Sequence, residues 1–207
     1  IFFNTTYVQD YNENVTVANN TIRFNSNGIQ FWGGFLNMSW VYGNIVYNNS
    51  GSGLILDYSS DVKKNPLNVS VYDNQIFWNN DWVVVYANDS IFRGNSIYEN
   101  GVVGGLENMN IITTNNVTFA NGTMNRSQTG GFRLFRIEDT ATNIFFVNET
   151  FNSSSFTMGA GVNNYTLQWY ARVNVTNPTF GAILGAGVNF SNASNATFGF
   201  IRESSAQ

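Results

Sequence analysis

A four-residue phrase returns along this chain: an asparagine, any residue, an isoleucine, valine or threonine, then an aromatic. It reads Asn44-Ile45-Val46-Tyr47, Asn74-Gln75-Ile76-Phe77, Asn95-Ser96-Ile97-Tyr98, Asn116-Val117-Thr118-Phe119, Asn148-Glu149-Thr150-Phe151, Asn177-Pro178-Thr179-Phe180 and Asn195-Ala196-Thr197-Phe198. A looser copy stands at Asn20-Thr21-Ile22-Arg23-Phe24, and successive asparagines lie 24, 30, 21, 21, 32, 29 and 18 residues apart. A unit that short cannot bury its apolar face alone and must stack on its neighbours, so the period constrains the fold to a coiled repeat.

The segments between the phrases are also strand-like. One set reads Gly28-Ile29-Gln30-Phe31-Trp32, Gly53-Leu54-Ile55-Leu56-Asp57-Tyr58, Trp82-Val83-Val84-Val85-Tyr86 and Phe132-Arg133-Leu134-Phe135-Arg136-Ile137. Another precedes each phrase: Val69–Tyr72, Ser90–Arg93, Asn110–Thr113 and Asn143–Phe146. All are short, β-branched or aromatic, and bounded by Asn, Gly, Ser or Asp. With no amphipathic helix of useful length, helical crossovers between strands are excluded. The expected architecture is all-β: a right-handed single-stranded parallel β-helix of about seven to eight coils, forming one domain over 1–207. A β-sandwich joined by strand donation remains the alternative.

Asparagine suits the corners of such a coil because it tolerates the left-handed conformation and hydrogen-bonds nearby backbone. Stacked on successive coils, Asn44, Asn74, Asn95, Asn116, Asn148, Asn177 and Asn195 are expected to pair their amides along the axis. The aromatics Tyr47, Phe77, Tyr98, Phe119, Phe151, Phe180 and Phe198 should form a second column. That column is expected to fill the core; the alternative is an exposed stripe that binds sugar or a partner.

The rhythm of Asn74-Gln75-Ile76-Phe77-Trp78-Asn79 and Asn95-Ser96-Ile97-Tyr98-Glu99-Asn100-Gly101 resembles the parallel β-helix repeats of pectin-lyase-like and periplasmic copper-processing (NosD-like) proteins. The resemblance spans about residues 15–200. It implies architecture, not activity, because the repeat is a folding signal.

Composition narrows the function. Charged residues are 11% and aromatics 16%, the reverse of a disordered chain. A net charge of −4 with nine basic residues, only Lys63 and Lys64 adjacent, argues against nucleic acid as a partner. No Cys is present, hence no disulfide framework or thiolate site, and no His, the commonest general base and transition-metal ligand. No apolar run is long enough to span a membrane as a helix. The chain opens on Ile1-Phe2-Phe3-Asn4 without a signal peptide, as expected of a mature protein or an excised piece.

The second signal is the acceptor motif Asn-x-Ser/Thr. It occurs at Asn4, Asn14, Asn19, Asn37, Asn48, Asn68, Asn88, Asn121, Asn125, Asn152, Asn164, Asn174, Asn189 and Asn192, and inside the phrase itself at Asn116, Asn148 and Asn195. Random placement of 35 Asn with 34 Ser and Thr would give about six such motifs, against 17 observed. In the three phrase copies threonine merely replaces isoleucine, which leaves 14. An acceptor motif reads as an exposed site on a secreted chain. A sugar coat would supply the solubility that so few charges do not, and would shield strand edges. Many acceptor motifs without cysteine suit an archaeal cell-surface protein.

Enzymes of the resembled groups use clustered carboxylates. The nearest residues of that kind here are Asp57, Asp61, Asp73, Asp81, Asp89 and Glu99 with Arg93, and nothing fixes a separation between any two. Neither a catalytic residue nor a metal ligand is therefore assigned, and no cofactor is expected beyond covalent N-glycans. Expected partners are further copies of the chain, other surface proteins or a polysaccharide. The expected role is a non-enzymatic extracellular glycoprotein in a filament, sheath, surface layer or adhesin, assembling through exposed coil ends. A pectin-lyase-like enzyme, a carbohydrate-binding module and a pilin-like subunit are the alternatives.

Overall fold

The structure is a computed structural model that describes residues 2–4, 11–32, 35–57, 65–101, 107–125, 133–151, 156–158 and 165–168. The chain divides into two units, Ile1–Tyr170 and Ala171–Gln207, and every described residue belongs to the first.

That unit is a parallel β-solenoid with three strands to a turn. A representative turn runs Val83–Val85, Asn88–Arg93 and Ser96–Tyr98, and the next runs Glu107–Ile112, Asn115–Ala120 and Thr123–Asn125. Corresponding strands stack in register into three sheets of seven, eight and six strands on their main paths, with every pairing parallel. The six-stranded third sheet sets six complete turns among the described residues, fewer than the seven to eight expected. The phrases at Asn177 and Asn195 lie outside the described residues.

Alternation puts one side chain in two inside, and stacking puts like upon like. In the third sheet the inward column is Ile22, Val46, Ile76, Ile97 and Met124, all buried. The second sheet contributes Val17, Val41, Val71, Phe92, Phe119 and Phe146. The first contributes Phe31, Leu56, Val85, Ile111 and Ile137. Full burial of each such side chain contributes ~1.5–3 kcal/mol. The phenyl rings of Phe92, Phe119 and Phe146 stack at 4.8 and 5.2 Å, so they follow the spacing of the strands that carry them.

Three long columns of left-handed residues recur along the coil, beside a shorter one of Thr113 and Asp139 between the first and second sheets. Between the second and third sheets stand Asn19, Gly43, Asp73, Gly94, Asn121 and Asn148. Beyond the third sheet stand Phe24, Asn48, Trp78 and Glu99. Near the start of the second sheet stand Asn14, Met38, Asn68, Asp89, Asn116 and Asn143. Asn, Asp and Gly dominate because they adopt this conformation at least cost.

The aromatic column splits in two. Tyr47, Phe77 and Tyr98 do stand over one another, with ring centroids 5.1 and 4.8 Å apart and planes within 4°. They line the outer face, half-buried, because Val46, Ile76 and Ile97 take the inward positions; the expectation that the column fills the core is overturned for these three and holds for Phe119. Phe119 is not above Tyr98, whose partner is Asn125; it belongs to the second sheet. Phe151 pairs with Met124, one position off the column. Phe180 and Phe198 lie outside the described residues.

Replacing Ile76, buried in the third sheet's inward column, by Ala should cost about 2–5 kcal/mol. Gln75→Ala, one residue away on the exposed side, should stay within about 0.5 kcal/mol. Urea denaturation of the two variants checks the inward–outward assignment; equal losses would contradict it.

Candidate functional site

The chemistry-bearing groups of this chain gather at its corners, where the inside and the outside of the coil have opposite character. Inside, immediately after the left-handed residue, comes an asparagine turned into the core: Asn20, Asn44, Asn74, Asn95. The Oδ1 of Asn74 accepts the backbone N–H of Asn44 at 3.0 Å and its Nδ2–H at 2.9 Å. Asn74 in turn donates from its backbone N–H and Nδ2 to Oδ1 of Asn95, at 3.1 and 2.9 Å. The second amide hydrogen of Asn74 reaches the carbonyls of Tyr72 and Val41. Every polar atom of the buried amide is thereby partnered, which is the condition on which a polar group is tolerated in a core.

Five residues further on is a second ladder that the sequence reading did not assign as such. Asn25, Asn49, Asn79 and Asn100 repeat the same geometry, with Asn49 Nδ2 to Asn79 Oδ1 and Asn79 Nδ2 to Asn100 Oδ1 both at 2.8 Å. Asn108, from the following strand of the first sheet, closes it: its Oδ1 accepts Asn100 N–H at 2.7 Å and its Nδ2 donates to the carbonyls of Ile97 and Asn125. The signal was present as Asn at positions 20/25, 44/49, 74/79 and 95/100.

The first ladder departs from expectation after Asn95. Asn116 is not its next member; it is an exposed left-handed residue of the second sheet, donating from Nδ2 to Oδ1 of Asp89 at 2.7 Å. Asn148 is the left-handed residue before the ladder position, donating to Oδ1 of Asn121 at 3.0 Å. The ladder positions themselves are Gly122 and Glu149. Gly122 carries no acceptor, so the Asn motif vanishes from that turn and the phrase beginning at Asn116 stands in for it in the sequence. Asn177 and Asn195 lie outside the described residues.

The Glu149 carboxylate occupies the space that Gly122 leaves open. Its Oε1 accepts Gly122 N–H at 3.0 Å, and a Cβ at Gly122 would lie 2.9 Å from both carboxylate oxygens. Oε2 is buried without a partner among the described residues. Burial lifts the carboxyl to about 7, opposed only by the Gly122 hydrogen bond.

Outside the corners stand the acceptor motifs. Asn14, Asn19, Asn48, Asn68, Asn116, Asn121 and Asn125 are exposed, and Asn37, Asn88 and Asn148 are partly so. None of the buried asparagines (Asn44, Asn49, Asn74, Asn79, Asn95, Asn100, Asn108, Asn110) begins such a motif. Topology accounts for the separation. The residue two places after a first-ladder Asn is Val46, Ile76 or Ile97, an inward position. Two places after the left-handed residue comes an outward one, as in Asn19-Asn20-Thr21 and Asn121-Gly122-Thr123. Asn4 lies in the strand Phe2–Asn4, and its side chain, together with Asn152, Asn164, Asn174, Asn189 and Asn192, is outside what the structure describes.

An aromatic patch occupies the outer edge of the third sheet. Arg23 donates from Nη1 to the Tyr47 hydroxyl at 2.9 Å, and Trp78 meets Phe77 edge-on at 5.2 Å. Phe24 is 71% and Trp78 54% exposed, although each sits in the left-handed region at φ 59 and 53. For a bulky side chain that conformation costs on the order of 1 kcal/mol or more. The stacked rings Tyr47, Phe77 and Tyr98 cover one another's faces, and the Arg23 guanidinium lies over Phe24 at 5.2 Å and over Tyr47 at 5.9 Å, so the open ring surface of the patch is that of Trp78 and what Arg23 leaves of Phe24. Burial in the stack raises the Tyr98 phenol.

Of the carboxylates singled out in the sequence, Asp73 and Glu99 are held apart by the strand Ser96–Tyr98, at whose opposite ends their corners lie. Arg93 rests over the Tyr72 ring at 5.8 Å, and Asp61 is outside the described residues. Among the described residues no three His, Cys, Asp or Glu side chains converge as a metal site, and no helix is long and apolar enough to cross a membrane. The chain matches no family model, no curated protein and no solved structure.

A carboxyl raised above its unfolded value binds its proton more tightly in the folded chain, so Glu149 contributes stability below pH 4.5 that is lost as pH rises through 7. Thermal melting should therefore show a lower Tm at pH 8 than at pH 5, and Glu149→Gln should flatten that difference. An unchanged pH dependence in the variant would mean that the carboxyl is not the titrating group.

Proposed function

We propose that this chain is a non-enzymatic structural glycoprotein of the extracellular surface, a subunit of a filament, sheath, surface layer or adhesin. The observation that carries the reading is the division of asparagines. Among the described residues, those buried in ladders never begin an acceptor motif, and the ten that do begin one are exposed or partly so, seven of them at left-handed corners. A glycosylating enzyme needs an exposed, turn-like acceptor, and the corners offer one on turn after turn. The low charge of the chain fits a surface solubilised by covalent sugar. An archaeal cell surface is the setting that the absence of cysteine suits.

The proposed assembly runs through the ends of the coil, where an open parallel strand edge would accept a further coil by β-augmentation.

A second reading, a carbohydrate-binding module, is favoured by the exposed rings of Phe24 and Trp78. Intact mass before and after chemical deglycosylation of protein from its native source separates the two. The structural glycoprotein reading requires a mass well above 23.1 kDa that falls on treatment. A bare chain that binds oligosaccharide would support the module instead.

A further inference from the structure

We infer that Asn48 carries an N-linked oligosaccharide whose first sugar is clasped between the rings of Phe24 and Trp78. The inference rests on the glycoprotein reading and goes beyond it by naming one acceptor and the surface its sugar occupies. Phe24, Asn48 and Trp78 hold the same left-handed corner on three successive turns, with Phe24 N–H bonded to the Asn48 carbonyl at 3.1 Å. Asn48 is exposed and its amide makes no hydrogen bond among the described residues, whereas Asn116 and Asn148 on other turns are tied to Asp89 and Asn121. Its motif Asn48-Asn49-Ser50 has an exposed serine.

The flanking rings are the second, independent observation. At the other bends this conformation is taken mostly by Asn, Asp or Gly; here two large aromatic side chains adopt it while remaining 71% and 54% exposed. Apart from the Arg23 guanidinium over Phe24 and the edge-on contact of Phe77 with Trp78, little within the fold covers these two side chains, so their exposed surface is better explained by something that covers it. Two strand spacings, ~9.6 Å, separate the turns that carry them. One pyranose ring between two aromatic rings needs about twice the carbon–carbon contact distance of ~3.5–4.0 Å, so the two side chains lean toward the sugar by ~2 Å in all. The apolar C–H faces of a sugar fit such a slot, and the linkage to Asn48 enters it from the middle turn.

The modification balances with a lipid-linked oligosaccharide as donor. Nδ2 of Asn48 attacks the anomeric carbon, the bond from that carbon to the lipid phosphate oxygen breaks, and the phosphate leaves with the electron pair. Nδ2 gives up one proton and keeps the other.

The test uses the chain produced in a host that transfers N-glycans, with glycopeptide mass spectrometry for occupancy and NMR for the sugar. Ser50→Ala abolishes the acceptor motif while keeping Asn at its left-handed corner. Trp78→Asn and Phe24→Asp remove one ring each with residues that tolerate the same corner. The expected result is an occupied Asn48 whose first-sugar protons are shifted upfield of the free glycan and show Overhauser contacts to both rings. The shift should shrink in either ring variant and the sugar should vanish in Ser50→Ala. A bare Asn48 beside occupied acceptors such as Asn121 would overturn the clasp and leave the glycoprotein reading intact. Free-glycan shifts on an occupied Asn48 would overturn the clasp in the same way, whereas a chain bare at every acceptor would overturn both.

Discussion

The fold depends on one interaction, the end-to-end pairing of buried asparagine amides from turn to turn. A backbone corner leaves N–H and C=O groups pointing where no strand can meet them, and a buried unmet group costs about 1–3 kcal/mol. Asparagine resolves this because one side chain is both donor and acceptor. The Asn44–Asn74–Asn95 series uses Oδ1 to collect two hydrogens from the turn before and Nδ2 to close its own corner. Aspartate would lack the donor, serine the reach, and glutamine would need one more methylene of room. Because each amide binds its equivalent on the next turn, the ladder also fixes register. A slip by one residue would face the amides with Ile45 or Gln75 and turn the inward column outward.

The same interaction decides how far the sequence could be read. The solenoid, its three strand sets and the first ladder up to Asn95 were legible, because each ladder Asn is followed two places on by an inward aliphatic. The reading failed at the fifth turn for a local reason. Gly122 replaces the rung, so no asparagine marks it, and Asn116-Val117-Thr118-Phe119, a second-sheet strand, has the same residue pattern. The next rung is Glu149, one residue past the Asn148 that the pattern selected. Which face the aromatics take was not legible either, since the phrase begins at the bend and strand alternation cannot be counted through it. The second ladder was written as plainly as the first, in the five-residue offset from Asn74 to Asn79 and from Asn95 to Asn100.

The end of the first ladder shows what it costs to leave the rule. Beyond Asn95 the Gly122 position has no side chain, and Glu149 extends its longer side chain into the gap, where a Cβ at residue 122 would collide with both oxygens. A carboxylate has only acceptors to offer, and Oε2 is left without a partner among the described residues. A protonated carboxyl restores the donor that an asparagine would have brought. In that form the pair approximates a rung, and it is burial of the carboxyl that holds the proton.

Corners built this way reconcile a dense core with a surface rich in acceptor motifs. The two residues of a bend divide the labour: the left-handed one faces solvent and the next turns its amide inward. A sugar on an inward amide would replace a hydrogen that the ladder uses, and would have to fit inside a core that holds Phe92, Phe119 and Phe146 in contact. A sugar on the outward residue replaces a hydrogen that bonds, at most, to a neighbouring surface side chain. The outward amide of Asn48 makes not even that bond among the described residues, so its substitution removes no hydrogen bond from them. A repeat that uses asparagine for both tasks therefore gathers acceptor motifs without weakening its frame. Their abundance follows from how the coil turns, and their exposure from which half of the bend they occupy.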